Sequence, residues 1–430
     1  MALGEPSAST DVSHILTLRG QGSIVATFQQ YSPFSIRVRA LSEPYDDDTQ
    51  GYVEIQVHKG KAIFAFRHPG NETANVLYGK STTHTKSGLD EGEKVSYWLS
   101  FDRNQRILKY GKGYIMEETT LLTQQFPLPQ KNVQDPWNFI FSPDTVKEVA
   151  IKDLKCTKGF EAFKLGLRKL FSFRPDLKGI EIPSDNSLTL YPHPLTHNWS
   201  PLVLDSTKAS LVELSSNKYM LSASLPPTCR ELYENIASAN VDLDWPQSMP
   251  NLSVAIDYSI KTPGKILYEK LKEKGQGNGM SYLRITLGCH RGSSPGIPYV
   301  LEIWPPKSFS PIHNHGNAYA VIKVLHGAIR VSNYNKTWKR NQEELLSCTV
   351  SKGDITWMSP NWFQTHKLSN ESEDHFCATI QCYKFGERDE IQWPYFNYLV
   401  GESVEDFLPI GDFDFKKLRE ELLVEYNADH

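Results

Sequence analysis

The stretch SFSPIHNHGNAYAVIKVLHG, residues 308–327, places His313 and His315 directly before a predicted strand that begins at Ala318. Residues i and i+2 of an extended strand point to the same face, so both imidazoles can enter one interior together. Gly327 follows at the position where a hairpin turn should fall. The chain has 13 histidines among 430 residues, so about 0.4 such pairs are expected by chance. The pair alone therefore does not establish a metal site.

Further strands are predicted on both sides of this stretch. Apolar and β-branched runs predict strands at 299–304, 318–324, 329–333, 348–350, 355–358 and 377–383. Gly327, Gly353 and Pro360 supply turns between them. Even strand spacing of this kind is typical of a double-sheet jelly roll. With a helix predicted at 264–274, residues 261–430 are expected to form a double-stranded β-helix barrel with a few helices.

The first part of the chain, 1–157, predicts an antiparallel β-sandwich. Phe34, Ile36 and Val38 alternate with polar residues, and the same period of two recurs at 95–101. Many short strands separated by turn residues are typical of a sandwich. The whole chain is therefore expected to be mostly β.

Residues 158–260 are mixed in character and predict a connecting region. A short amphipathic helix is expected there, because Pro226-Pro227 precedes the segment CRELYENIASANV. His193 and His197 have the spacing of a helical metal pair, but the flanking prolines favour a loop.

Composition limits the function classes. The chain carries 46 Lys and Arg against 50 Asp and Glu, a net charge of −4, and no basic stripe, so no nucleic-acid partner is predicted. No run of 18 apolar residues exists, which predicts no membrane partner. The six cysteines lack metal-type spacing and the chain opens without a signal-peptide pattern, which favours the cytoplasm. A monomer and a homodimer remain equally open.

The spacing of histidines and turn residues in 313–370 resembles the two-part signature of the cupin family. Its residues are His313, His315 and Gly327 in the first part, and Gly353, Pro360, His366 and Asn370 in the second. The leading Gly of the first part falls at Lys307, and the usual Glu ligand falls near Tyr319 or Ala320. A site of three neutral histidines without a carboxylate is what the cysteine dioxygenase branch uses. Residues from about 280 to 385 therefore resemble a thiol dioxygenase.

This resemblance implies a metal site and a substrate site. His313, His315 and His366 would hold one Fe(II) per chain, with O₂ as co-substrate. Tyr282 and Arg284 match the family's Tyr-x-Arg and would bind the substrate, a small thiol or small carboxylate. The planar guanidinium would pair with the substrate carboxylate. The implied reaction adds O₂ to sulfur and gives a sulfinate.

The same resemblance implies a catalytic relay. Thr379, Gln381 and Tyr383 fall on the family's Ser-x-His-x-Tyr and share one strand face. Gln381 replaces a histidine, so it orients a neighbour but does not titrate. Ala320 stands where animal members carry a cysteine that crosslinks to the tyrosine, so no crosslink is expected.

Residues 95–113, VSYWLSFDRNQRILKYGKG, resemble the small β-sandwich named after farnesoic acid O-methyltransferase. This resemblance implies a ligand-binding module, and a sandwich that only supports the catalytic domain is an equal alternative. No glycine-rich loop opens a helix there, so methyl transfer is not predicted.

Two other functions stay open at this stage. A metal-dependent cupin lyase, isomerase or carbon-oxidising dioxygenase would use the same histidines with Zn, Mn or Ni. A non-enzymatic ligand-binding protein would use the barrel only as a scaffold.

Overall fold

The computed structural model describes residues 10–16, 20–29, 32–40, 50–77, 80–81, 87–92, 94–143, 146–154, 187–191, 194–195, 199–216, 218–237, 241–244, 251–275, 281–287, 299–316, 318–335, 343–385, 396–400, 403–407 and 411–430. The chain divides into two compact units, Met1–His197 and Asn198–His430. In the described residues, no helix is long and apolar enough to cross a membrane.

The N-terminal unit consists of two six-stranded sheets. Its elements are β1 (Thr10–Ile15), β2 (Gly22–Gln29), β3 (Phe34–Ala40), β4 (Tyr52–Val57), β5 (Ala62–Arg67), β6 (Asn75–Leu77), β7 (Lys80–Ser81), β8 (Lys94–Asp102), β9 (Ile107–Lys112), β10 (Thr120–Gln125), α1 (Asn138–Phe141), β11 (Lys147–Leu154) and β12 (Ser187–Tyr191). The strand orders are β1-β11-β3-β4-β5-β6 and β12-β2-β8-β9-β10-β7. The described pairings within both sheets are antiparallel.

One apolar core joins these two sheets. Ile36 and Val38 of β3 pack in the same cluster as Ile24 of β2 and Tyr97 and Leu99 of β8. Each strand thus turns alternate side chains inward, as its period of two predicts. The predicted β-sandwich is confirmed.

The C-terminal unit contains thirteen described strands and five described α-helices. They are β13 (Leu202–Leu204), α2 (Leu211–Ser215), β14 (Met220–Leu221), α3 (Pro227–Ile236), α4 (Leu252–Lys261), α5 (Ile266–Glu273), β15 (Leu283–Thr286), β16 (Tyr299–Trp304), β17 (Ala318–His326), β18 (Ala328–Tyr334), β19 (Glu344–Ser351), β20 (Ile355–Met358), β21 (His366–Ser369), β22 (Cys377–Phe385), β23 (Phe396–Val400), β24 (Ser403–Phe407), β25 (Phe413–Asp414) and α6 (Phe415–Asp429). Every strand predicted in this part is present.

Two sheets of this unit face each other. The larger has the order β14-β13-β20-β17-β22-β16-β15-β25, the smaller has β19-β18-β21, and β23 and β24 form a separate hairpin. Trp304 and Val324 of the large sheet share an apolar cluster with Val331, Val350 and Leu368 of the small one. The expected double-sheet domain is confirmed, and with it the mostly β fold class.

Helices cover the outer face of the large sheet. Leu283 of β15 and Ile303 of β16 pack there with Ile256 of α4, Leu267 of α5 and Leu418 of α6. Because strand side chains alternate, the residues between these apolar ones point to the opposite, interior face. This alternation turns a set of polar residues toward the interior, namely Arg284, Glu302, Thr379 and Gln381.

The predicted connecting region contributes to both units. Strand β12 pairs antiparallel with β2 of the sandwich, whereas β13 pairs with β20 of the large sheet. The amphipathic helix predicted after Pro226 is α3, with Pro227 in its first turn. Residues 155–186 lie outside the described residues, as do His193 and His197. The predicted boundaries at 157 and 260 stay predictions.

Candidate metal centre

Three histidines meet in the interior of the C-terminal unit. His313, His315 and His366 are buried, and their ligating nitrogens lie within 4.8 Å of one another. The Nε2 atoms of His315 and His366 are 3.1 Å apart. Two nitrogens that bind one metal ion at right angles lie about 3 Å apart, given metal–nitrogen bonds of roughly 2.1 Å. The cluster therefore fits a single ion, with three nitrogens and no carboxylate as its donors.

Backbone pairing holds two of these residues together. The amide of His313 donates to the carbonyl of His366, and the amide of His366 donates back, each at 3.0 Å. Such a reciprocal pair fixes two residues directly opposite each other. His315 follows two residues later. Its backbone carbonyl accepts a hydrogen bond from the amide of Ala318 at 3.0 Å, which closes the turn into β17.

The imidazoles are neutral at physiological pH. Burial lowers the pKa of His313 to about 4. Burial and the neighbouring histidines lower the pKa of His315 well below its ordinary value, and burial does the same for His366. Nδ1 of His313 lies 2.9 Å from the carbonyl oxygen of Pro311, a contact that places the proton on Nδ1 and leaves Nε2 to bind a metal. Neutral imidazole is the form that binds metals.

An ion pair lies beside the histidines. Arg284 and Glu302 are opposite each other on β15 and β16, and Nη1 of Arg284 donates to Oε1 of Glu302 at 2.6 Å. Both side chains are buried, with exposed fractions of 11% and 3%. Burial opposes the charge on Arg284, but the adjacent carboxylate and the nearby tyrosines raise the pKa of the guanidinium above its ordinary value. The carboxylate that meets Arg284 in this structure belongs to the protein itself.

A hydrogen-bonded chain leads from this pair to the metal centre. Nε2 of Gln381 donates to Oε2 of Glu302, and the hydroxyl of Tyr383 donates to Oε1 of Gln381. The ring of Tyr383 stacks on His315 with centroids 5.6 Å apart. Arg284 is also hydrogen-bonded to Tyr383. Gln381 and Tyr383, two of the predicted relay residues, are thus directly connected.

The third relay residue makes a different contact. Thr379 is fully buried and accepts a hydrogen bond from Nε1 of Trp304 at 3.3 Å. The ring of Tyr282 stacks on that of Trp304, with the two ring centroids 4.2 Å apart. Burial is the main cause that raises the pKa of Tyr282, so its hydroxyl stays protonated. The roles predicted for these residues in substrate binding and catalysis stay predictions.

A small cavity lies among these groups. Its volume of about 10 Å³ corresponds to roughly one water position. The wall consists of Tyr282, Arg284, Glu302, Trp304, His313, His315, His366, Leu368, Gln381 and Tyr383. Seven of the eight residues named from the sequence therefore line one enclosed space, and Thr379 is the exception.

Glu302 is the residue that sequence reasoning missed. The strand YVLEIW contains one charged residue, Glu302, and the strand LRIT contains one, Arg284. A charged residue in a buried strand requires a partner of opposite sign. This signal indicates that each of the two charges needs a partner, but it does not identify that partner.

Comparisons with known proteins gave only matches of low similarity. No family model matches the chain. An oxalate oxidase in complex with the substrate analogue glycolate is 16% identical, covers 25% of this chain and 52% of its own, and has a TM-score of 0.20. The Cupin_2 domain of an XRE-family transcriptional regulator from Enterobacter cloacae is 9% identical over 25% and 98%, with a TM-score of 0.20. A putative sugar phosphate isomerase from Acidithiobacillus ferrooxidans is 14% identical over 26% and 65%, with a TM-score of 0.17.

The structure neighbours are thus cupin, double-stranded β-helix, proteins, and some of them are enzymes. The match spans about half of the oxalate oxidase chain. At these identities and TM-scores the likeness carries nothing about metal, substrate or reaction, which rest on the site itself.

Proposed function

We propose that this protein is a mononuclear non-haem iron dioxygenase that adds O₂ to the sulfur of a small thiol. The observation that carries the proposal is the cluster of three buried, neutral histidines beside a small cavity, a cluster that contains no carboxylate among the described residues. In the reaction a thiol RSH and one O₂ give the sulfinic acid RSO₂H, so both oxygen atoms end on sulfur and no other reductant is needed.

His313, His315 and His366 would hold the metal. An Fe(II) ion held there would supply a Lewis acid with open coordination positions, which would favour the thiolate form of a substrate thiol. Three neutral ligands leave the ion with its full positive charge, which favours an anionic sulfur ligand.

The other side chains arrange the space around the sulfur. Gln381 accepts a hydrogen bond from the hydroxyl of Tyr383, whose ring stacks on His315, so this hydroxyl would orient the reacting oxygen atoms. The rings of Trp304 and Tyr282 stack on each other beside this space.

Oxygen consumption tests this function. The protein would be loaded anaerobically with Fe(II) and mixed with cysteine, cysteamine, 3-mercaptopropionate or thiol-free carboxylates. We expect O₂ uptake with at least one thiol and a product that gains two oxygen atoms by mass. Turnover without O₂ uptake would favour a lyase or isomerase, and failure to bind metal would favour a ligand-binding protein.

A histidine variant tests the metal site. We expect His366→Ala to lose stoichiometric iron and to lower O₂ uptake at least a hundredfold, because it removes one of three ligands. His375→Ala is the matched control, since the side chain of His375 is 72% exposed and lies outside the cluster. Normal iron content and uptake in His366→Ala would show that the ligand assignment is wrong.

A further inference from the structure

The charge balance of the cavity wall limits which thiols fit. Arg284 carries the wall's positive charge, and its guanidinium is engaged by Glu302 at 2.6 Å. Both oxygens of Glu302 accept hydrogen bonds, one from Arg284 and the other from Gln381, an arrangement that suits a carboxylate. Burial raises the pKa of Glu302, and Arg284 and Gln381 act against this rise. The charges of Arg284 and Glu302 therefore cancel, and the described residues that line the cavity carry no net charge.

A substrate carboxylate would disturb this pair. To bind Arg284 in the bidentate manner it would have to displace Glu302 or share the guanidinium with it. Displacement leaves a buried carboxylate without its partner, and sharing places two carboxylates side by side in a dry space. Either arrangement lowers affinity by about a hundredfold or more, because an uncompensated buried charge is strongly destabilising.

We propose that Glu302 is a specificity residue, and that the thiol oxidised at this centre carries no carboxylate group. This inference rests on the proposed function, since it names the substrate class of the same site. A thiol whose other end is a neutral hydroxyl leaves the ion pair intact and brings no uncompensated charge into the wall. The sulfur of such a thiol can reach the histidines without a counter-charge from Arg284.

Glu302 also connects substrate choice to the position of Tyr383. Its Oε2 holds the amide of Gln381, whose Oε1 accepts from the tyrosine hydroxyl. A carboxylate that displaced Glu302 would release this chain, so selection against carboxylates also protects the arrangement at the metal.

The test measures thiol binding without turnover. The full-length protein is loaded with Co(II) under anaerobic conditions, and thiolate binding is read from the sulfur-to-cobalt absorption band. Cysteamine, 2-mercaptoethanol and mercaptoacetate are size-matched thiols that end in an ammonium, a hydroxyl and a carboxylate. We expect the dissociation constant of 2-mercaptoethanol to be about a hundredfold lower than that of mercaptoacetate, because the hydroxyl leaves the ion pair intact and the carboxylate does not. Equal or tighter binding of mercaptoacetate would overturn the proposal.

Variants of the ion pair give the matched comparison. Glu302→Gln keeps the shape and removes the negative charge, which leaves Arg284 available, so we expect a preference for mercaptoacetate. The double variant Arg284→Gln with Glu302→Gln has no charge in the wall and should lose that preference. An unchanged preference in folded Glu302→Gln would contradict the role of Glu302, and should that variant fail to fold, the wild-type series alone decides.

The two readouts separate the two proposals. If the Co(II) protein shows the expected selectivity while the Fe(II) protein consumes no O₂ with any thiol, the specificity stands and the dioxygenase function fails. If the Fe(II) protein oxidises mercaptoacetate as fast as 2-mercaptoethanol, the function stands and the specificity fails. Absence of any thiol band with Co(II) bound overturns both.

Discussion

Lys307 lies in a backbone conformation that side chains rarely adopt. Its φ is 62°, in the left-handed region, and it is the third residue of the turn 305–308 that follows β16. A residue with a Cβ atom pays roughly 1–2 kcal/mol for this conformation, whereas glycine adopts it freely. Glycine is therefore the residue that suits this position best.

Replacement of Lys307 by glycine should stabilise the protein. We expect the free energy of unfolding to be about 1 kcal/mol higher for Lys307→Gly than for Lys307→Ala, measured by urea denaturation. The alanine variant is the control because it also removes the surface contacts of Lys307 with the Glu371 carbonyl and Glu373. Equal stabilities of the two variants would show that this conformation carries no strain.

The three histidines make the stability of the metal-free protein depend on pH. Burial lowers the pKa of His313 to about 4 in the folded state, against an ordinary value of 6.5. Between these values the unfolded chain binds a proton that the folded chain does not, so stability falls as pH falls through this range. His313 alone contributes about 3 kcal/mol to this loss.

Urea denaturation of the metal-free protein between pH 7 and pH 4.5 measures this effect. We expect His313→Asn to lose part of the slope, up to about 1.4 kcal/mol per pH unit, because one titrating group is gone. His375→Asn, at an exposed position, should keep the wild-type slope. A wild-type stability that does not change between pH 6.5 and 5 would contradict the neutral, buried state of the cluster.

At the scale of the element, strands were predictable where local signals agree. Strands β16 and β20 begin and end at the predicted residues, because their apolar runs are bounded by turns. The pairing of β12 with β2, and of β13 with β20, was not predictable. These partners are separated by some 150 residues or more of sequence, and no local pattern specifies the register between them.

The same distinction holds for the site. His313, His315 and His366 were recognisable because spacing along a strand and between turns is a local signal. The pairing of Glu302 with Arg284 depends on the register between β15 and β16, which the sequence leaves open. The sequence shows two residues of opposite charge in apolar strands. Their contact could be established only from the three-dimensional structure.

Gly327 determines the hairpin between β17 and β18. Its φ is 67°, and a Cβ atom at this position would lie 2.5 Å from the carbonyl oxygen of Phe376. Gly327→Ala should therefore combine backbone strain with a steric clash against β22. We expect a loss of about 3 kcal/mol in the free energy of unfolding.

Gly353→Ala is the matched control for this hairpin. Gly353 has a φ of 93°, but a Cβ atom there would meet nothing within 4 Å. We expect this variant to lose only the strain contribution, about 1 kcal/mol, in urea denaturation. A loss equal to that of Gly327→Ala would show that the contact with Phe376 is unimportant.

At the scale of the molecule, each unit has its own apolar core. The core of the N-terminal unit joins the two sheets of the sandwich. The C-terminal unit has one cluster between its large sheet and the helices and another between its two sheets. All three histidines belong to the C-terminal unit, as do Arg284 and Glu302. The chemistry of the centre therefore needs residues from this unit alone.

This arrangement predicts that metal stabilises one unit and not the other. A fragment of residues 198–430 should fold and bind one divalent ion with the affinity of the full chain, and a fragment of residues 1–197 should bind none. A ligand that binds only the folded state adds about 2.7 kcal/mol when its free concentration is 100 times its dissociation constant. Calorimetry of both fragments with and without Fe(II) or Co(II) measures this gain. Because metal binding and stability are linked through the same ligands, His366→Ala in the 198–430 fragment should abolish this gain in stability. A gain in the 1–197 fragment would instead place a metal site outside the cluster.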